Sequence, residues 1–279
     1  MKNLTDKAVL VTGAAKGIGR ATALAFAQEG SNPLVITDID ANGLEGTADM
    51  LEAMHREVLA VPADISDPEA VGMLVEESLE RYGRIDVLAN VAGVGILGPV
   101  EDLAISDWRR VIDVNLWGVI NTIHYVYPHM VARKAGHIVN VSSTDGLFVS
   151  WIYSAPYCAS KFGIVGISEE ILFEASLHGI GVTCFCPGSV GTTIFDTSPV
   201  VGFSEEIRKI KGMLTRGADP PEAVGRMIVE AVKKDRFIVT TTLSFQMEYF
   251  LRKHLPFLWF PFMKLQARLM ARMLGKYRI

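Results

Sequence analysis

The sequence predicts an α/β fold: a doubly wound parallel sheet of about seven strands with helices on both faces. Two observations carry this. Seven short apolar runs with little polar alternation recur along the 279 residues, as parallel strands buried on both faces require. Stretches of helical character separate them, and alternating strands and helices build a parallel sheet by crossover connections. Ligands in such sheets bind at the carboxyl ends of the strands, so functional residues are expected there.

The first run, 8–12, leads into Gly13-Ala14-Ala15-Lys16-Gly17-Ile18-Gly19 and a helical stretch at 17–29. Glycines in a strand-to-helix turn let backbone N–H groups approach a phosphate at a helix N-terminus, so a bound nucleotide is expected. The second run, 33–37, ends at Asp38, before helix 41–55. A carboxylate there would accept hydrogen bonds from ribose hydroxyls and repel a 2′-phosphate, which favours NAD. Lys16 pulls towards NADP, and Asp38 could instead cap the following helix, a task Asp40 could also perform.

The third run, 58–62, leads to Asp64 and Ile65, placed to touch an adenine; Asp67-Pro68 then starts helix 67–82 in cap-then-proline form. The fourth, 87–90, ends in Asn90-Val91-Ala92-Gly93. Asn115 lies within the helical stretch 106–132, where Asn is a poor choice unless its amide has a task. The fifth run, 138–142, ends at Ser142-Ser143. Ser154-Ala-Pro156 then starts helix 156–178, which sets Tyr157 and Lys161 on one face four residues apart. A cation beside a phenol lowers its pKa towards neutrality, making the pair a proton donor and acceptor. The sixth run, 182–186, is followed by Pro187-Gly188-Ser189-Val190-Gly191-Thr192, and Asp219-Pro220 starts helix 220–234 before the last run, 237–240.

These motifs, taken in order, resemble the short-chain dehydrogenase/reductase superfamily over residues 5–245. The resemblance implies a Rossmann-type fold and an NAD(P)-dependent oxidoreductase that interconverts an alcohol and its ketone. It puts the catalytic Asn, Ser, Tyr and Lys on Asn115, Ser143, Tyr157 and Lys161. Ser143 is preferred to Ser142 because it stands three before Gly146, although the loop to Tyr157 is one residue longer than usual. Tyr157 would exchange the substrate proton, Lys161 would tune it and hold the nicotinamide ribose, and Ser143 would polarise the substrate oxygen. Asn115 would anchor a water linking Lys161 to solvent. Gly13, Lys16, Gly17, Ile18, Gly19, Asp38, Asp64, Ile65, Asn90, Ala92, Gly93, Pro187, Gly188, Val190 and Thr192 would join Tyr157 and Lys161 around the cofactor. Val91 departs from the second Asn usual in the family. A homodimer or homotetramer is implied.

Leu97, Ser143, Trp151, Tyr153 and Ser189 are the expected substrate contacts. The apolar stretch 147–153 suggests a large apolar secondary alcohol or ketone of steroid, terpenoid or long-chain type, with packing at a subunit contact as the alternative. Segment 199–217, with Gly, Ser and charges, reads as a lid. An NADPH-dependent carbonyl or 3-oxoacyl reductase is the second enzyme reading, and a non-catalytic nucleotide-binding module the third.

Residues 1–245 read as one domain and 246–279 as an extension. From Tyr249 onward there are seven basic residues and no acid, so all 31 acidic residues precede it. The acidic body argues against nucleic-acid binding. After an aromatic-rich entry at 255–263, Lys264, Arg268, Arg272 and Lys276 recur every four residues beside apolar neighbours. Such a basic amphipathic helix suits an anionic membrane surface, an oligomer contact or a lid equally. Three unpaired Cys suit a reduced, cytoplasmic setting, with the cytoplasmic face of a membrane as a further expectation. No signal peptide, spanning segment or protein-built metal site is expected.

Overall fold

The computed structural model describes residues 1–204, 206–207 and 217–279. Seven parallel strands form one sheet in the order β3-β2-β1-β4-β5-β6-β7. They are β1 Val9–Thr12, β2 Leu34–Asp38, β3 Val58–Pro62, β4 Val87–Asn90, β5 Gly136–Val141, β6 Ile180–Cys186 and β7 Ile238–Thr240. The order reverses between β1 and β4, which opens the crevice where such sheets take ligands.

The unbroken apolar runs have a direct cause. Along β1, Val9 and Val11 enter one core layer and Leu10 the other; Leu34 and Ile36 oppose Val35 in the same way on β2. Both faces are therefore dry, and each such side chain contributes about 1.5–3 kcal/mol of burial. One face is covered by α1 (Gly17–Gln28), α2 (Ala41–Ala53) and, late in the chain, α8 (Pro221–Lys233). The other carries α3 (Pro68–Tyr82), α5 (Gly118–Arg133) and α6 (Ala155–Ser176). α4 (Ile105–Ile112) packs against α6, and the short α7 (Ile194–Thr197) follows the loop after β6.

Helix starts follow the sequence only in part. Asp67 caps α3 as expected, accepting from the N–H groups of Glu69 and Ala70 at 3.0 and 3.3 Å. Asp219 does not cap α8: its backbone pairs with Val190 and is held extended, so Pro220 takes the cap position. Ser154 precedes α6, but its buried hydroxyl makes no hydrogen bond to a described residue. The expected lid at 199–217 includes residue 205 and residues 208–216, which lie outside the described residues.

The C-terminal extension forms two helices, α9 (Leu243–His254) and α10 (Pro256–Leu274). The boundary expected at 245 thus falls inside a helix. The aromatic run is the first half of α10 itself, with Pro256 at its start and Pro261 within it. Leu147 and Phe148 turn inward beneath these helices, against Trp259, Phe245 and Met263. Phe148 meets Trp259 edge-on at 5.5 Å.

Candidate active site

At the end of β1, Gly13 has φ +68°, and a Cβ there would stand 2.6 Å from the Ala92 Cα. Gly19 backs directly on the Gly13 carbonyl. The turn thus lies tight against the end of β4 and admits no side chain at either place. Thr12 completes the junction: its Oγ1 accepts from the N–H groups of Val91 and Ala92 at 3.0 and 3.2 Å. No side chain caps α1, so its first N–H groups remain directed at the turn. Ile18 packs on the core beneath, and a Cβ at Gly17 would stand 3.3 Å from Thr192. The turn and the loop after β6 therefore face each other.

Asp38, at the end of β2, accepts from the N–H groups of Ala15 and Asp40, both at 3.0 Å. Asp40 caps α2 through Gly43 at 3.1 Å, so Asp38 is not needed as a cap. Lys16 is exposed. The Arg20 guanidinium is engaged by the carbonyls of Ala15 and Gly43, and its Nε by Thr47 at 2.9 Å. Asp64 accepts from Ser66, and Ile65 is buried under Gly118 with its carbonyl held by Asn121.

Asn90 was expected to face the cofactor. Its side chain is instead consumed inside the protein, donating to Asn140 at 2.9 Å and accepting from Thr122 at 2.7 Å. It braces β4 against β5 and α5. Asn115 lies in a π-helical turn, Asp113–Trp117, between α4 and α5; such turns recur at functional sites. Its amide accepts from the Val94 N–H (2.8 Å) and donates to the Val94 carbonyl and the Ser160 hydroxyl (both 3.0 Å). That leaves Asn115 as a clamp between the loop after β4 and α6, with its side chain already bonded to protein. A Cβ on Gly93 would lie 3.3 Å from Asn115 Oδ1 and 3.5 Å from Lys161 Nζ, so these three residues converge.

Ser143, Tyr157 and Lys161 also converge. The Ser143 hydroxyl lies near the Tyr157 phenol and favours its ionised form, whereas the Ser142 hydroxyl donates to the Lys161 carbonyl at 2.8 Å. Ser143 is thus the serine at the phenol. Lys161 is buried, donates to the Val141 carbonyl at 2.9 Å, and lies 5.5 Å from the centre of the Tyr157 ring.

The electrostatics differ from the sequence expectation. Lys161 was to lower the phenol pKa, yet burial raises Tyr157 above its usual value and the Asp145 carboxylate adds to that, against a smaller downward pull from Ser143. Burial also lowers the Lys161 ammonium to about 8. Desolvation therefore outweighs the attraction of the pair in the protein alone. Asp145 is itself raised by burial and holds Ser150 through both N–H (2.8 Å) and hydroxyl (2.7 Å). Neither Thr12, Asp145 nor Ser160 carries a motif signal; each acts through partners distant in sequence.

After β6, the Pro187 carbonyl accepts from the Thr144 N–H at 2.9 Å, while Val190 and Ser189 are tied to Asp219. Gly188 lies directly under the Phe245 ring of α9, with no room for a Cβ. Leu97, Trp151 and Tyr153 do meet, in an apolar cluster with Phe203 and Leu274. Tyr153 has φ +69°, uncommon for a non-Gly residue, and its carbonyl accepts from the Gly98 N–H at 2.8 Å. A cavity of about 260 Å³ lies between Val149, Trp151 and Ile152 on one side and Trp259, Met263 and Met270 on the other. Ser150, Arg252, Lys264 and Gln266 also line it, and Tyr157 does not; Asp145 and Ser150 connect the two regions. No cluster of metal-ligating side chains occurs among the described residues.

The chain is similar to known proteins. The family model for short chain dehydrogenase matches residues 7–199. A hydroxy(phenyl)methyl-succinyl-CoA dehydrogenase subunit of Thauera aromatica is 37% identical over 199 residues, 70% of this chain and 78% of its own. A 3-oxoacyl acyl-carrier-protein reductase of Thermotoga maritima is 36% identical over 200 residues, covering 70% of this chain and 79% of its own. The crystal structure of a short-chain dehydrogenase/reductase from Burkholderia phymatum in complex with NAD superposes with a TM-score of 0.82 at 30% identity, covering 91% of this chain and 95% of that one. With the fold, the motif order and these likenesses in agreement, the chain belongs to the short-chain dehydrogenase/reductase family and is an oxidoreductase acting on CH–OH groups.

Proposed function

We propose that the protein is an NAD-dependent oxidoreductase that interconverts an apolar secondary alcohol and its ketone. The observation that carries this reading is the meeting of Ser143, Tyr157 and Lys161 at the carboxyl end of the sheet, beside the Gly13–Gly19 turn. The residues fit a dinucleotide. The α1 N-terminus has no capping side chain, which leaves its first backbone N–H groups to meet a pyrophosphate, and a carboxylate, Asp38, ends β2, as a ribose partner would. The bound nicotinamide supplies the hydride acceptor or donor.

The protein's own part is positioning and proton transfer. Ser143 holds and polarises the substrate oxygen. Tyr157 takes the alcohol proton in oxidation and returns it in reduction. Lys161, held by Val141, provides the positive charge beside the phenolate. The side chain of Asn115 positions the loop after β4 and α6; it is already bonded to Val94 and Ser160, so a water leading to Lys161 would use other groups. An apolar substrate is supported by the cluster of Leu97, Trp151 and Tyr153 and by the neighbouring cavity. Lys16 supports a second reading, an NADPH-dependent carbonyl or 3-oxoacyl reductase, and a 3-oxoacyl acyl-carrier-protein reductase of Thermotoga maritima is among the relatives.

A panel of steroid, terpenoid and long-chain secondary alcohols and ketones, assayed with NAD and NADP in parallel, tests both points. Tyr157→Phe is expected to lower turnover by at least about a hundredfold while NADH binding, read by fluorescence, persists. Retained turnover would overturn the role of Tyr157, and a preference for NADP would overturn the cofactor choice.

A further inference from the structure

The inner face of α10 is settled: Trp259 and Leu274 are buried against the body, with Met263 and Met270 between them. The outer face is not covered by the chain. Leu258, Phe262, Leu265 and Leu269 fall at spacings of four, three and four, so they form one stripe along the helix. All four are more than half exposed, at 56%, 58%, 56% and 57%. Beside that stripe run Arg268 and Arg272, four apart and exposed, with no ion pair to a described residue; Lys264, one turn earlier, is exposed and also borders the inner cavity. Two other basic groups of the tail are engaged by the body: Arg278 pairs with Glu101 and Asp102, and Arg252 stacks on Phe162.

We propose that this outer face of α10 docks on an anionic lipid surface, with the helix in the interfacial plane. The stripe supplies apolar area for the acyl boundary, and the basic row beside it meets the headgroups. Among the described residues no helix is long and apolar enough to cross a membrane, so the contact is peripheral. Charge decides against a second copy as the occupant. A two-fold contact would lay the basic row of one α10 along that of its mate, and α10 has no acidic residue to offset it. Phe257, exposed near the start of α10, adds an aromatic side chain beside the basic row, where aromatic groups favour the interface.

Sedimentation of the full-length protein with vesicles tests this. Vesicles of phosphatidylglycerol mixed into phosphatidylcholine are expected to bind it, and pure phosphatidylcholine to bind it at least about tenfold more weakly, with the difference shrinking as salt rises. Arg268→Gln with Arg272→Gln should weaken anionic binding about thirtyfold, at about fivefold per basic residue. Leu265→Ser with Leu269→Ser should weaken it at least about tenfold. All four positions are exposed and lie outside the catalytic cluster, so thermal melting and turnover in solution should stay unchanged. Equal, weak binding to both vesicle types would overturn the proposal. So would binding that neither variant alters, or a concentration-dependent dimer, seen by light scattering, that the Leu variant abolishes while vesicle binding is absent.

Discussion

The carboxyl rim of the sheet and the two C-terminal helices meet where Phe245 covers Gly188, yet they are built on opposite principles. At the rim, polar side chains are buried and fully engaged: Thr12 holds the loop after β4, Asn115 clamps Val94 to Ser160, and Ser142 and Val141 hold Lys161. On α9 and α10, large apolar side chains are left in water, among them Met247, Phe250 and Leu265. The rim is finished by the chain itself and its geometry is fixed by hydrogen bonds that are costly to leave unpaired. The helices are finished on one side only, through Trp259 and Phe245.

Three changes test this contrast. The largest effect is expected at the finished side of the helices. Trp259→Ala removes a 5%-exposed indole packed on Phe148 and should cost about 3–5 kcal/mol in urea unfolding. A loss below about 1 kcal/mol would show that α10 is only loosely attached. Next comes Asn115→Leu at the rim. It leaves the Val94 N–H and carbonyl unpaired, while the Ser160 hydroxyl keeps its bond to the Tyr157 carbonyl, for a loss of about 2–3 kcal/mol together with reduced turnover. If stability is unchanged and only turnover falls, Asn115 acts on the reaction and not as a clamp.

The smallest effect concerns protonation within the sheet. His137 is buried beside Thr183, and burial lowers its pKa to about 3. The unfolded chain takes up that proton near pH 6.5, so the contribution to stability is intact above 6.5 and is lost as pH falls from there towards 3. The loss is about 1.4 kcal/mol per pH unit within that window. His137→Gln should flatten the acid limb of the stability curve by that amount relative to the parent protein; an identical slope would show that His137 is protonated in the folded state.

The seven strands were legible because both of their faces are dry, so each run is apolar without alternation. The Gly turn, Asp38, Tyr157 and Lys161 were legible because their chemistry depends on spacing along one turn or one helix. What the sequence hid is of another kind. Thr12 serves β4, Asn90 serves β5 and α5, and Phe245 serves Gly188; each pairs residues from 32 to 80 positions apart and leaves no periodic trace. The sign of the Tyr157 shift was hidden for the same reason. Spacing brought Lys161 near, but the surrounding chain excludes water and places Asp145 close by. The helix α9 was missed altogether, and α10 was begun too late because Pro261 sits inside it.

The Phe245 ring over Gly188 also has a consequence for the order in which the protein becomes complete. All seven strands have left the ribosome once Thr240 has emerged, and the sheet can close at that stage. The shelf beside Gly188 still lacks its outer wall, which arrives with the next few residues and is secured only when Trp259 follows. During synthesis the last strand therefore emerges before the cover over the loop after β6 does.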